Sequence, residues 1–407
     1  MQIENHSDKT VLKGIVQQHR SGQTLPRDLY VSEGAFRVDI AAFFNTSWLF
    51  VCHASELPKS GNFQRFDVAD TSVIILRGRD NEIRALHNVC RHRGARLCEK
   101  SEGRMPNIVC PYHQWIYDLT GALTRAEGMD DDFDLGAHNV RQAHCSVIEG
   151  CVFVCLAEDA PDASHLGAAF APYMRAQGIG DAKVAHVSTI IEEGNWKLTW
   201  ENYHECYHCD NGHPELSRTF PVQPVAYGGG ADTEDRDFVN LWNTCDRLGL
   251  PRDTLGADDG IEHRLYRRPL LGDSMTMSGE PAVSKYLGGI TENGIGDVSV
   301  LHHPNMFGHM MADHAVFMRI RPLASNRTAL QTRWLVDADA VEGVDYNVET
   351  LTEVWKATNQ QDARFVRLSH EGIGSPAYVP GPYSPTREIS PRKFADWYCK
   401  RLAAFLD

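Results

Sequence analysis

Cys90-Arg91-His92 and Cys110-Pro111-Tyr112-His113 are the two stretches on which the fold turns, each offering one thiolate sulfur and one imidazole nitrogen. A single zinc ion needs only a tetrahedral cage, and zinc fingers usually pair Cys with Cys and His with His along the chain. Here each pair is mixed, and Gly94 and Pro111 allow tight turning beside the ligands. A dinuclear [2Fe-2S] cluster accounts for the mixture. Two thiolates hold one iron and two neutral imidazoles the other, so a loop supplying one Cys and one His touches both irons, and the nitrogen ligands raise the reduction potential. Cys90, His92, Cys110 and His113 therefore mark the chain as an electron carrier at least in part. Trp115 and Tyr112 are expected to shield the cluster from water, and Tyr117-Asp118-Leu119-Thr120-Gly121 reads as a strand entering a hairpin turn.

The chain has room for more than that. Its 407 residues, 42% hydrophobic and 23% charged, suit a globular protein with two full cores. A formal charge of -14 argues against a nucleic-acid surface, which needs a basic face. Eleven Cys is an odd count, and Met1-Gln2-Ile3-Glu4 has no signal-peptide pattern, so a reducing cytoplasm is expected. Cys98, Cys145, Cys151, Cys155 and Cys399 read as small core or surface residues. Apolar runs such as Ser72-Val73-Ile74-Ile75-Leu76 and Cys151-Val152-Phe153-Val154-Cys155 have strand length, far short of the roughly 20 residues of a membrane helix.

From about Phe36 to Leu156 short apolar or alternating runs are broken by Gly, Pro and Asn, a β-domain pattern with the cluster loops at its tip. The acidic, proline-containing stretch Glu158-Asp159-Ala160-Pro161-Asp162-Ala163 marks a boundary, followed by an alanine-rich helix. The expected division is an N-terminal arm over 1–35, a cluster domain over 36–160 and a second domain over 161–407. Strands are expected around 314–320 and 329–336. Tyr227-Gly228-Gly229-Gly230 and the acidic segment near Gly256 read as surface loops or as mobile connections forming a lid.

The second half carries another set of metal-ligand types. A helix is expected from about Asn195 to Cys209, with Trp196, Trp200, Tyr203 and Tyr207 on one apolar face and Glu201, Glu205 and His208 beside it. Asn211-Gly212 and Pro214 stop that helix and let His213 swing back. A second helix, about 351–369, places Asp362 inside the apolar stripe of Leu351, Val354, Trp355, Thr358, Phe365 and Val366. A carboxylate there is costly unless paired or bound to a cation. His208, His213 and Asp362 together would make the two-His, one-carboxylate triad of a non-haem Fe(II) site with positions open for dioxygen. The competing reading has two hydrogen-bonded core histidines and Asp362 paired with Arg364 or Arg367. Beside a one-electron cluster in the same chain, the iron reading takes precedence. Glu205 competes for the carboxylate role, and His302, His303, His309 and His314 read as structural.

At these residues the chain resembles the catalytic subunit of a Rieske non-haem iron oxygenase. Cys90-x-His92 with Cys110-x-x-His113 is similar to the family's cluster motif. Asn195-Trp196-Lys197, Glu201-Asn202-Tyr203-His204-Glu205-Cys206-Tyr207-His208-Cys209 and His213-Pro214 are similar to its iron motif. The resemblance implies an α+β fold, an all-β Rieske domain followed by a catalytic domain whose curved antiparallel sheet wraps a long helix. It implies His208, His213 and Asp362 as iron ligands, with Asn202 and Glu205 as catalytic residues. Glu205 stands where the family often has Asp, bridging an iron histidine to a cluster histidine of the neighbouring subunit. Head-to-tail homotrimers and an electron route from His113 through Glu205 to His208 follow from the same resemblance.

The iron motif, together with the stretches 337–346 and 380–384, is most similar to enzymes acting on quaternary ammonium compounds, the glycine betaine and proline betaine demethylases. A fully methylated cationic nitrogen can be held against aromatic faces without a hydrogen bond, and Trp334, Trp355, Tyr378 and Tyr383 are candidates for those faces. The implied reaction is O2-dependent oxidative N-demethylation with release of formaldehyde. Alternatives are a choline- or carnitine-type monooxygenase, an aromatic-ring hydroxylating dioxygenase, or a Rieske electron-transfer protein without catalysis. The chain has no Gly-x-Gly-x-x-Gly turn and no second cysteine cluster, so electrons are expected from NAD(P)H through a separate flavin- and iron-sulfur-containing reductase.

Overall fold

A computed structural model describes residues 6–221, 236–253 and 262–407. The glycine-rich stretch Tyr227–Gly230 and the segment near Gly256 lie outside the described residues. Two compact units emerge, Phe44–Ala163 and, separately, Met1–Phe43 with Ser164–Asp407. The described residues up to Phe43 thus group with the second unit. Phe43 stacks on Tyr398 at 5.0 Å, and the Tyr30 hydroxyl donates to Glu201 at 2.5 Å. The strands begin at Leu49, later than the pattern from Phe36 suggested. Glu33–Asp39 is a helix capped by the Ser32 hydroxyl and continues as a π-helix over Ile40–Phe44. Short apolar runs buried on all sides do not distinguish strand from helix by period.

In the first unit ten strands follow in order: β1 (Leu49–His53), β2 (Asn62–Val68), β3 (Thr71–Arg77), β4 (Ile83–His87), β5 (Glu102–Arg104), β6 (Ile108–Val109), β7 (Ile116–Tyr117), β8 (Leu123–Arg125), β9 (Gln142–Ile148) and β10 (Cys151–Cys155). Seven form an antiparallel sheet in the order β1-β10-β9-β4-β3-β2-β5, and β6-β7-β8 form a small second sheet. β10 is buried at every residue because neighbours flank it on both sides, which is why its sequence is continuously apolar. The Cys90 loop leaves β4, and the Cys110 loop joins β6 to β7. The hairpin expected after Tyr117 is present: Asp118 N–H donates to the Ala122 carbonyl at 2.9 Å, and Gly121 takes φ +88.

The second unit is built on a six-stranded antiparallel sheet of β11 (Lys183–Glu192), β12 (His263–Arg268), β13 (Asp297–His302), β14 (Met306–Met310), β15 (Ala315–Ala324) and β16 (Arg327–Val336), ordered β11-β16-β15-β14-β13-β12. Against it lies a 27-residue helix, Val348–Gly374, longer at both ends than its apolar stripe indicated and capped by the Asn347 side chain. Its inner face buries Leu351, Val354, Trp355, Thr358 and Val366, and Asn359 Nδ2 donates to Thr332 Oγ1 of β16 at 2.9 Å. The chain passes tightly at Gly194, where a Cβ would come within 2.5 Å of Val366 Cγ1. Two residues later the helix Trp196–Tyr203 begins, capped by Asn195, whose side-chain amide also donates to the Tyr30 and Ser325 carbonyls at 2.8 Å each. The fold is α+β, as the resemblance implied. Among the described residues no helix is long and apolar enough to cross a membrane.

Candidate active site

The two cluster loops follow the same backbone path. Cys90 N–H donates to the Ala95 carbonyl and Gly94 N–H to the Cys90 carbonyl; Cys110 and Gln114 repeat both bonds with Trp115 and Cys110. Gly94 and Gln114 both adopt left-handed backbone, φ +73 and +59. The glycine is legible in sequence, whereas a glutamine in that region is not. The His92 and His113 rings lie 4.6 Å apart, and Trp115 stacks on His92 at 4.6 Å. Cys90 and Cys110 are buried, and His113 Nδ1 is buried without a partner. Two adjacent buried sulfurs and two adjacent imidazoles suit a dinuclear cluster. Trp115 covers it as expected, but Tyr112 is 57% exposed. The unforeseen contact is Tyr117, whose hydroxyl lies 3.2 Å from Cys90 Sγ and accepts the Arg91 N–H at 3.1 Å.

In the second unit the helix ends at Tyr203, short of the expected Cys209. The Glu205 carboxylate accepts the backbone N–H groups of Tyr207 and His208, competing with helical bonds and turning the chain. Tyr207 therefore leaves the apolar face and is 55% exposed. A short helix, Cys209–Gly212, then brings His213 back. At Gly212 a Cβ would meet the Phe365 ring at 2.8 Å, so a glycine lets that ring pack beside His208.

His208 Nε2 and His213 Nε2 are 3.0 Å apart, and Asp362 Oδ1 lies 2.9 Å from the His213 nitrogen and 3.4 Å from that of His208. The other ring nitrogens face acceptors: His208 Nδ1 meets Glu205 Oε1 at 2.5 Å and His213 Nδ1 meets Gln361 Oε1 at 2.8 Å. With both Nδ1 positions donating, two Nε2 lone pairs and one carboxylate oxygen converge, which is the donor set of a divalent iron site. Burial disfavours the Asp362 carboxylate, but its contacts with His208 and His213 outweigh burial and hold its pKa below the usual value. The arginine pairing weighed for Asp362 is not formed: Arg367 pairs with Glu371 at 2.7 Å and Arg364 lies over Phe365. Glu205 stands on the Nδ1 edge of His208, away from the convergence point. Gln361 escaped the sequence reading, although its place next to Asp362 puts it on the same helix; its amide also donates to Glu215 at 2.7 Å.

The three donors open on a cavity whose walls include Asn202, Tyr203, Phe220, Arg264, Tyr266, Arg268, His309 and Trp355. Of the aromatic residues proposed from sequence only Trp355 lines it. Trp334 packs on His186, while Tyr378 and Tyr383 sit near Tyr30 and Glu201. Tyr203, Phe220 and Tyr266 take their place. Tyr266 comes from β12, where alternation turns Arg264, Tyr266 and Arg268 to one face. That register was not readable without knowing which face the sheet turns inward.

A model of the Rieske [2Fe-2S] domain matches residues 47–142, and one of the ring-hydroxylating alpha subunit catalytic domain matches 179–404. The chain belongs to the Rieske oxygenase alpha-subunit family. Among relatives of this alpha subunit is the glycine betaine monooxygenase oxygenase subunit of Pseudomonas aeruginosa, 38% identical over 93% of this chain and 89% of the relative. The carnitine monooxygenase oxygenase subunit of Escherichia coli is 32% identical over 49% of the chain and 54% of the relative. The fold is shared with a quaternary ammonium Rieske monooxygenase solved with L-carnitine, at 21% identity and TM-score 0.70 over 97% of this chain and 99% of the other. It is shared too with naphthalene 1,2-dioxygenase from Rhodococcus sp., at 17% identity and TM-score 0.69 over 98% and 99%.

The alpha subunit is thus an iron-dependent oxidoreductase carrying a Rieske cluster and a mononuclear iron. Its Cys206 and Cys209, on either side of His208, are joined in a disulfide, which the expectation of reduced cysteines did not include. Cys98, Cys151, Cys155 and Cys399 are buried and lie outside this disulfide, and Cys145 is half-buried.

Proposed function

We propose that this alpha subunit removes an N-methyl group oxidatively from a small betaine, glycine betaine or proline betaine, and releases formaldehyde. The observation that carries the reading is the convergence of His208, His213 and Asp362 on a cavity walled by Trp355, Tyr203 and Phe220. The relation to glycine betaine monooxygenase subunits across nearly the whole chain supports the substrate class.

In this reading Cys90, His92, Cys110 and His113 hold the cluster, and His208, His213 and Asp362 hold the iron. When bound, these groups supply single electrons and the activation of dioxygen for insertion into a methyl C–H bond. The chain's own residues do the rest. Glu205 and Gln361 keep protons on the Nδ1 atoms of His208 and His213, leaving both Nε2 atoms free to bind. Trp355 and Tyr203 offer π faces to the quaternary nitrogen and turn a methyl group toward the three donors. The apolar walls limit water around the reacting carbon.

One O2, two electrons and two protons convert the methyl group to N-hydroxymethyl and release one water. The hydroxyl then gives up its proton, the C–N bond breaks with its electron pair staying on nitrogen, and formaldehyde leaves an amine one methyl shorter. The electrons come from NAD(P)H through a separate flavin- and iron-sulfur-containing reductase. They pass between subunits of a homotrimer, from His113 through Glu205 to His208.

Single-turnover analysis of pre-reduced protein exposed to oxygen tests this reading, using glycine betaine, proline betaine, carnitine, choline and simple aromatics. Formaldehyde equal to the betaine consumed is expected. Hydroxylation of an aromatic, with no betaine turned over, overturns it.

A further inference from the structure

We propose that Arg264 is the anchor for the substrate's carboxylate, so that this cavity selects zwitterionic betaines over simple quaternary cations. The inference rests on the betaine reading above and adds the residue that reads the substrate's other end.

The argument begins with two arginines on one strand face. Arg264 and Arg268 lie four residues apart on β12 with Tyr266 between them, and all three line the iron cavity. Their charges are handled differently. Arg268 is almost fully buried and donates to Asp297 Oδ2 at 3.0 Å and to Ser299 Oγ at 2.9 Å. Burial alone would raise the Asp297 carboxyl, but His309 and Arg268 outweigh it and keep the group ionised. Arg268 and Asp297 therefore cancel, and the pair braces the wall.

Arg264 has no such counterpart. Among the described residues no carboxylate lies within ion-pair distance of it, and its Nε is buried without a hydrogen-bond partner. Its guanidinium lies over the Tyr266 ring, 4.8 Å from the centroid, a contact that orients the group without neutralising it. Because the Arg268 guanidinium also lies 5.4 Å from that centroid, Tyr266 already serves two protein cations. The Phe220 ring is taken as well, with the Arg268 guanidinium 4.0 Å from its centroid, which leaves Trp355 and Tyr203 for the ligand's ammonium.

An uncompensated guanidinium in a partly buried wall is costly, and an anionic ligand removes the cost through charge-assisted, bidentate hydrogen bonds. A betaine brings one negative and one positive end, so it neutralises Arg264 while leaving the net charge of the cavity unchanged. Choline offers the same trimethylammonium head but leaves Arg264 unpaired. Discrimination of this kind comes from the buried polar group left without a partner by the wrong ligand.

The test is calorimetric binding to the anaerobic, iron-loaded protein, with glycine betaine, proline betaine, the uncharged amide of glycine betaine, and choline as probes. Wild-type protein is expected to bind a carboxylated betaine about tenfold or more tighter than the amide or choline. That comparison needs no variant. Arg264→Gln is expected to weaken betaine binding by about tenfold or more and to bring betaine and amide within about twofold. Wild-type cluster absorbance and iron content in the variant confirm that it is folded. Arg264→Lys, which keeps the charge but loses the fork, should recover part of the affinity. Wild-type turnover of a betaine with equal affinity for its amide, or wild-type affinity in Arg264→Gln, overturns the anchor and leaves the demethylation reading standing. Failure of the wild-type protein to bind or convert any betaine overturns both.

Discussion

Glu205 Oε1 lies 2.5 Å from His208 Nδ1, while the Nε2 of the same ring faces His213 and Asp362. One imidazole thus joins a partly exposed carboxylate to the convergence point of three donors, and the same carboxylate turns the chain by accepting the Tyr207 and His208 N–H groups. Glu205 both shapes the loop and orients the ring.

Glu205→Gln tests the first role apart from the second. The amide oxygen can still accept from Nδ1–H, so iron should stay bound, but the NH2 group that replaces the second oxygen cannot accept the other imidazole N–H that a bridging carboxylate takes. Rapid mixing of the reduced protein with oxygen and betaine should show cluster reoxidation slowed by about tenfold or more, with iron content near wild type. An unchanged rate removes Glu205 from the electron route.

Asp362→Ala should remove the mononuclear iron while keeping the cluster. The residue is held between His208 and His213 in the second unit, whereas the cluster loops are braced by their own backbone bonds in the first. Iron analysis should fall from three to two irons per chain, the count expected for a dinuclear cluster plus one iron. Visible absorbance of the cluster should persist. Loss of both signals would make Asp362 a structural residue.

Metal binding at this site should be proton-linked. Without iron, burial disfavours the charged His208 ring, but Asp362 and Glu205 outweigh it and raise its pKa to about 9. Asp362 is shifted the other way and stays ionised. A pKa raised above its unfolded value stabilises the metal-free fold fully below about pH 6.5, and that stability is lost as pH rises through about 9. Iron requires the neutral ring, so its binding has the opposite trend. Apparent affinity should rise about tenfold per unit from roughly pH 7 to 9 and then level off, with about one proton released per iron bound. Chelator competition across that range, in buffers of different ionisation enthalpy, measures both; a flat profile contradicts the assignment.

Much of this site is legible in the sequence because metal ligation depends on residue type. Cys90, His92, Cys110 and His113 declare themselves by mixed pairing, and His208, His213 and Asp362 by an unusual carboxylate in an apolar stripe. What escapes is set by backbone path and register. The helix from Trp196 stops early because a side chain outcompetes its hydrogen bonds. Gln361 is an ordinary helical glutamine until the loop delivers His213 to it, and Arg264 and Tyr266 become wall residues only through the inward face of β12. The aromatic residues proposed near Asp362 were chosen by sequence distance, and three of the four point elsewhere.

Gly212→Ala probes the close approach behind the histidines. An added Cβ would sit 2.8 Å from the Phe365 ring, which packs edge-on against His208. Relieving the clash shifts that ring or the loop, costing about 1–3 kcal/mol as overpacking does. Iron occupancy should fall before global stability does, seen as weaker Fe(II) retention on dialysis with a melting temperature lowered by only a few degrees. Wild-type retention would show that the loop accommodates the methyl group freely.

Tyr117→Phe should lower the reduction potential of the cluster without dislodging it. The Tyr117 hydroxyl lies 3.2 Å from Cys90 Sγ and accepts from Arg91 N–H at 3.1 Å, so with the sulfur as a metal-bound thiolate the hydroxyl proton points to it. A donor to a thiolate favours the more negative, reduced state, and potentials of such clusters respond to hydrogen bonds on sulfur. Removing one worth about 1 kcal/mol more in the reduced state lowers a one-electron potential by roughly 40 mV. Phenylalanine keeps the buried ring, so the optical spectrum and protein stability should change little. Voltammetry of the variant beside wild type reads the shift, and an equal or higher potential would show that the hydroxyl proton is directed elsewhere.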